Sequence, residues 1–256
     1  MSVLYKVILA YDGTAFAGMQ RQADARTVQG EVENALRRIG WEGRSLLAAG
    51  RTDAGVHASG QVISFHHDWQ HGPEKLCQAL NASLPPDIAA QQVFEVGEDF
   101  HPRFDAAART YRYTILCSPV RVPLRERYAW RVWPRPDVEL LNACAAELIG
   151  VHDFAAFGSP HKPGGPTTRE VFAAGWQAEQ DEISNQNELI FTVTANAFLY
   201  HMVRRMVSSQ VAVGRAKRSL EAFRRDVSSP QEMIQGLAPA HGLCLVEVTY
   251  RDEPQD

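Results

Sequence analysis

Ala49-Gly50-Arg51-Thr52-Asp53-Ala54-Gly55-Val56-His57 is a polar loop set between two short β-like runs. Residues 45–49 before it are small and apolar, and Gln61-Val62-Ile63-Ser64-Phe65 after it alternates as a half-buried strand does. The loop therefore joins two strands. Gly50 and Gly55 allow sharp bends on both sides of Asp53, so one carboxylate is displayed at the edge of a rigid sheet between an arginine and a histidine. An Asx-type turn, in which Asp53 caps its own backbone, is the plainer reading of a lone aspartate between glycines.

Working outward, residues 3–11 read as a strand of β-branched and aromatic residues ended by Asp12-Gly13. Thr27 predicts an N-cap, because Val28, Val32, Ala35, Leu36 and Ile39 then recur at helical spacing. Gly30 stands where a capping box needs an acid or amide. Pro73 opens a helix over residues 73–82, Leu84-Pro85-Pro86 stops it, and residues 88–96 form another strand. The order of this half is β-α-β-β-α-β.

The second half repeats that order with a different sequence: a strand over residues 107–116, a helix over 137–149 closed by Gly150, and strands over 170–178 and 188–195. Helices over 200–213 and 219–227 and a last strand over 243–250 complete it. The expected fold is α+β, with two ferredoxin-like halves, residues 1–104 and 105–256, side by side in one extended sheet with a central active-site cleft. Residues 119–136 and 159–168, rich in Pro with Arg or Gly, read as loops over that cleft.

A chain of 256 residues, 45% hydrophobic and 22% charged, is ordinary for a globular protein. No apolar run approaches the roughly 20 residues of a membrane span, and Lys6 interrupts the start of the chain, so a cytoplasmic location without a membrane partner is expected. Cys77, Cys117, Cys144 and Cys244 lack paired spacing and read as buried small hydrophobes. Net charge is −4, yet residues 101–135 hold eight arginines against Asp105 and Glu126, and residues 201–225 hold seven basic residues against Glu221. The acids collect in residues 95–99, 179–188 and 252–256. Such segregation builds a basic face suited to phosphate on an acidic protein. A set of solvated faces with unrelated orientations is the alternative. A metal-dependent hydrolase using Asp53, His57, His66, His67 and His71 fits poorly, because His66 and His67 point to opposite faces of a strand. No glycine-rich phosphate loop occurs.

Gly50 to His57 resembles, without a mismatch, the signature of the TruA family of tRNA pseudouridine synthases. The resemblance continues in register through Tyr11-Asp12-Gly13, Gln20-Arg21-Gln22, Phe100-His101-Pro102-Arg103-Phe104 and Tyr111-Arg112-Tyr113. It ends with Ala195-Asn196-Ala197-Phe198, His201-Met202-Val203-Arg204 and Gly242-Leu243. Met19 stands where the family often has tryptophan, and Gly30 where an acid is common. The resemblance implies Asp53 as the catalytic carboxylate, Tyr111 beneath the target base, and Arg204 ion-paired with Asp53. A core aromatic on a central strand is the plainer reading of Tyr111, and alternation puts Tyr111 and Tyr113 on one strand face, so only one of them is expected to meet the ligand. Arg51 is positioned to fill the gap left by an extruded nucleotide or to hold a phosphate, and His57 reads as structural. Val203, Val207 and Val211 mark the core face of the helix that carries Arg204, with Arg205 directed to solvent.

The implied reaction isomerises uridine to pseudouridine at positions 38, 39 or 40 of the tRNA anticodon arm. It needs no cofactor and no metal. Ring addition, attack at C1′ and a glycal route all require an ionised carboxylate beside the nucleoside. The partners implied are tRNA and a second copy of the chain in a homodimer. A non-catalytic RNA-binding module of ferredoxin-like fold is the rival, since open sheets bearing aromatic residues bind single strands.

Overall fold

The computed structural model describes residues 2–180 and 187–251, and the chain divides into two compact units. The first comprises Met1–Ala107 and Leu245–Asp256. It begins with β1 (Val3–Tyr11), α1 (Val28–Arg38), β2 (Leu47–Ala48), β3 (His57–His67), α2 (Pro73–Ser83) and β4 (Ile88–Glu95). β1 lies between β4 and β3, antiparallel to both, and β2 pairs antiparallel with β3. This is the strand arrangement of the split β-α-β motif, with its second strand cut to two residues.

Local chemistry sets the helices. Thr27 Oγ1 accepts the Gly30 amide at 3.2 Å, which caps α1, and Val28, Val32, Ala35 and Leu36 are buried along one stripe. Pro73 occupies the first turn of α2, where its missing N–H costs nothing, and Leu76 and Leu80 face inward. On β1 the side chains of Tyr5, Val7, Leu9 and Tyr11 share one face by the two-residue period and are all buried. Lys6, on the other face, is a buried cation lying over the rings of Phe94 and Tyr250, and burial holds its pKa below the usual lysine value.

The second unit, Ala108–Cys244, takes in most of β5 (Ala106–Cys117), then β6 (Trp130–Arg131), α3 (Val138–Glu147) and β7 (Gly150–Asp153). β8 (Thr168–Gln180), β9 (Asn187–Ala195), α4 (Met202–Gly214) and α5 (Leu220–Ser228) follow. Its strands run β5-β9-β8-β7, with β6 parallel to β5. Asp137 caps α3 by accepting the amides of Glu139 and Leu140, and Ser219 caps α5 through the Ala222 amide. β6 and β7 were not expected from the sequence, because runs of two and four residues carry no measurable alternation. Among the described residues no helix is long and apolar enough to cross a membrane.

The last strand, β10 (Leu243–Tyr250), departs from the expected division, which gave residues 105–256 to the second half. From Leu245 onward it belongs to the first unit, beside β3. A Cβ on Gly60 would stand 2.2 Å from the Val246 carbonyl oxygen, so the two backbones approach more closely than any side chain there permits. Tyr250 donates its hydroxyl to the Pro102 carbonyl at 2.7 Å and packs on Phe100. The strand itself was expected at residues 243–250, whereas only packing chose its neighbour. The acidic run expected at 252–256 lies outside the described residues, as do residues 181–186 of the other acidic stretch.

His67, at the end of β3, is buried, and burial holds its pKa below the ordinary imidazole value of about 6.5. The unfolded chain then binds a proton at a pH where the folded one does not. Its contribution to stability is intact above about pH 6.5 and declines as pH falls through the window below. His67→Gln, which cannot titrate, should show a flatter stability profile between pH 7 and 5 than the parent. Urea midpoints across that range check this, and parallel profiles would remove His67 from the acid response.

Candidate active site

The loop carrying Asp53 is fixed by its backbone. Ala49 donates to the Val62 carbonyl at 2.8 Å, and the fully buried Gln61 side chain donates to the Gly50 carbonyl at 3.1 Å. The Tyr11 and Thr52 hydroxyls meet at 2.8 Å, the Met19 amide donates to the Thr52 carbonyl, and the Gly55 amide donates to Phe16. A bond from the Val56 amide to the Asp53 carbonyl, 3.1 Å, closes the turn. Thr52 and Val56 are buried, Arg51 and Ala54 are exposed, and Asp53 between them is half-buried. A carboxylate on a loop tethered by such bonds, on a residue partly open to solvent, is what a reacting acid requires.

Three glycines shape this loop, though not the expected pair. Gly55 has φ +78° as anticipated, whereas Gly50 adopts no left-handed backbone and has open space where a Cβ would stand. The close approaches are at Gly13, where a Cβ would lie 2.0 Å from the Val56 carbonyl oxygen, and at Gly18, φ +106°, where it would lie 2.9 Å from that of Thr52. His57 opens β3 and is buried. Its Nδ1 accepts the Gly13 amide at 3.0 Å and stands 3.2 Å from Asp12 Oδ1. The structural role expected of His57 is therefore met, and the Tyr11-Asp12-Gly13 motif serves the loop. Glu33, fully buried on α1, ties down the neighbouring Gln20–Gln22 stretch by pairing with Arg21 at 2.5 Å, and it also accepts the Leu46 amide.

In the second unit β5 separates the two tyrosines. Tyr113 is wholly buried and donates to the Pro239 carbonyl at 2.8 Å. Burial raises its pKa, with the Arg204 charge acting in the opposite sense. Tyr111 is half-buried, its ring edge-on to Phe198 with centroids 5.0 Å apart. Tyr113 is thus the core residue, and a Cβ on Gly242 would strike its ring at 2.6 Å, which accounts for Gly242-Leu243. On α4 Val203, Val207 and Val211 are buried as predicted. The helix starts at Met202 rather than residue 200, because His201 turns the chain with φ +66°. Arg204 donates through Nε to the Ala238 carbonyl at 2.8 Å. Arg205 is half-buried, with its Nη1 enclosed, so it is less open to solvent than the spacing suggested.

Ion pairs occupy part of the arginine-rich stretches. Arg125 meets the buried Glu188 at 2.5 Å, Arg121 and Arg131 share Glu126, Arg224 pairs with Glu147, and Arg218 with Asp226. Arg112, Arg135 and Lys217 are exposed.

A family profile described as tRNA pseudouridine synthase matches residues 7–105 and 144–251. The tRNA pseudouridine synthase A of Moorella thermoacetica is 43% identical over 249 residues, covering 96% of this chain and 98% of that one. That of Chloroflexus aurantiacus is 41% identical over 246 residues (95% and 87%), and that of Shouchella clausii 39% over 244 residues (94% and 91%). An α+β chain with one carboxylate on a fixed loop thus has its place among RNA-modifying isomerases. The chain belongs to the TruA family of tRNA pseudouridine synthases.

The glycine contacts generate a paired prediction. Gly18→Ala should destabilise the protein by about 1–3 kcal/mol, since it combines a left-handed φ with a backbone collision. Gly50→Ala should be tolerated. Thermal melts and turnover of the two variants decide, and equal behaviour would contradict the packing at Gly18.

Proposed function

We propose that this protein isomerises uridine to pseudouridine at one or more of positions 38, 39 and 40 of the tRNA anticodon arm, with Asp53 as the catalytic carboxylate. Family membership supports synthesis of pseudouridine in tRNA. The observation that supports the residue assignment is the Asp53 loop, whose backbone bonds are turned into the protein while Asp53 is only half-buried. In the reaction the bond from C1′ to N1 breaks, the uracil rotates, and C1′ joins C5. The C5 proton leaves and N1 gains one, so atoms and electrons balance. Tyr111 supplies a ring face for the extruded base, in keeping with its partial exposure beside Phe198. Arg51, exposed two residues before Asp53, holds a phosphate or the vacated gap, and Arg204 completes the substrate-binding set. The same resemblance extends the reading to a homodimer working in the cytoplasm.

Asp53→Asn keeps the shape of the side chain and loses its nucleophilicity. It should abolish site-resolved pseudouridine formation in unmodified tRNA transcript while tRNA binding persists, and turnover by the purified variant would overturn the assignment. For Tyr111, replacement by Phe should leave affinity nearly intact because the ring face remains, whereas replacement by Ala should lose activity. Equal rates for parent, Phe and Ala forms would exclude Tyr111 from the site.

A further inference from the structure

We propose that His57 is a positioning residue for Asp53, acting through its Nδ1 as a hydrogen-bond acceptor. The inference rests on the reading of Asp53 as the catalytic group. His57 lies four residues after Asp53, at the point where the loop becomes β3. Its ring is buried, and Nδ1 receives the Gly13 amide at 3.0 Å. That bond ties the exit of β1 to the end of the Asp53 loop. The same glycine lies against the Val56 carbonyl with no room for a Cβ, so the Gly13 backbone is held from two sides by residues 56 and 57. Val56 in turn bonds through its amide to the carbonyl of Asp53. A continuous path of short contacts therefore runs from the end of β1 through His57 and Val56 to the aspartate.

The acceptor role defines the ring's protonation state. A neutral imidazole donates from one nitrogen and accepts at the other, so Nδ1 facing an N–H places the proton on Nε2. Asp12 Oδ1, 3.2 Å from Nδ1, does not replace this contact, because it already accepts the Thr14 amide at 3.0 Å and the Thr14 hydroxyl at 2.6 Å. Losing the acceptor releases the Gly13 amide and lets the loop shift. Displacement of about 1 Å at a reacting group lowers rate on the order of a hundredfold.

Two substitutions separate the nitrogens. The Oδ1 of His57→Asn falls where Nδ1 stood and can still accept from Gly13, whereas the amide of His57→Gln reaches the Nε2 position and leaves the δ position without an acceptor. The Asn form should retain kcat within a few fold of the parent. The Gln form should lose kcat on the order of a hundredfold with KM for tRNA little changed. Equal kcat for the two, or a better Gln form, would overturn the proposal, as would a loss confined to KM. Independently of activity, nitrogen-15 shifts of His57 in the parent protein should report the proton on Nε2 at neutral pH, and the Gly13 amide should exchange slowly. A proton on Nδ1, or a freely exchanging Gly13 amide, overturns it even if neither variant folds. Asp53→Asn measured alongside keeps the cases apart: its turnover tests the catalytic reading, and the Gly13 amide tests the tether.

Discussion

The close approach of a side-chain-free backbone to the aspartate loop is the constraint on which the first unit depends. Gly13 and Gly18 let the chain leaving β1 run against Val56 and Thr52 at distances that any Cβ forbids. That contact brings the amides of Gly13 and Met19 within reach of His57 and Thr52, and the Tyr11 hydroxyl within reach of Thr52. The carbonyls of Gly50, Thr52 and Asp53 and the amides of Gly55 and Val56 are bonded within the unit. The loop's stiffness follows from bonds rather than from burial of the acid itself, which stays half-exposed.

In the second unit the organising feature is the segment at residues 238–242, on which two elements come to rest. The Tyr113 hydroxyl and Arg204 Nε donate to the adjacent carbonyls of Pro239 and Ala238, and Gly242 makes space for the Tyr113 ring. Strand β5 and helix α4 are thereby referred to one stretch of backbone. Two tyrosines on one strand face then take different fates. Tyr113 is sealed beneath that segment, while Tyr111, two residues nearer the strand's start, keeps a partly open ring.

Electrostatics adds a further division of labour. A chain of net charge −4 can still present cations, but the arginines of residues 121–131 are in part held by Glu126 and by the buried Glu188. A guanidinium with a buried carboxylate partner chiefly neutralises that carboxylate, because an unpaired buried charge is costly. Arg112 and Arg135, by contrast, are exposed.

Sequence alone determined most of the elements and the family motif around Asp53. Thr27, Pro73, Asp137 and Ser219 start helices through local hydrogen bonds or a fixed φ, β-branched and aromatic residues mark β1 and alternation marks β3, so these signals need no partner from elsewhere in the chain. The motif around Asp53 was legible for the same reason. Tertiary structure decided what local pattern does not encode: that β10 returns to β3, that Tyr113 and not Tyr111 is sealed, that Gly13 rather than Gly50 has no room for a Cβ beside the loop, and that one nitrogen of Arg205 is enclosed. Each of these depends on which surface meets which. A strand's period gives the face a residue shares, but the depth of that face, and the backbone that lies against it, are set only when distant segments pack.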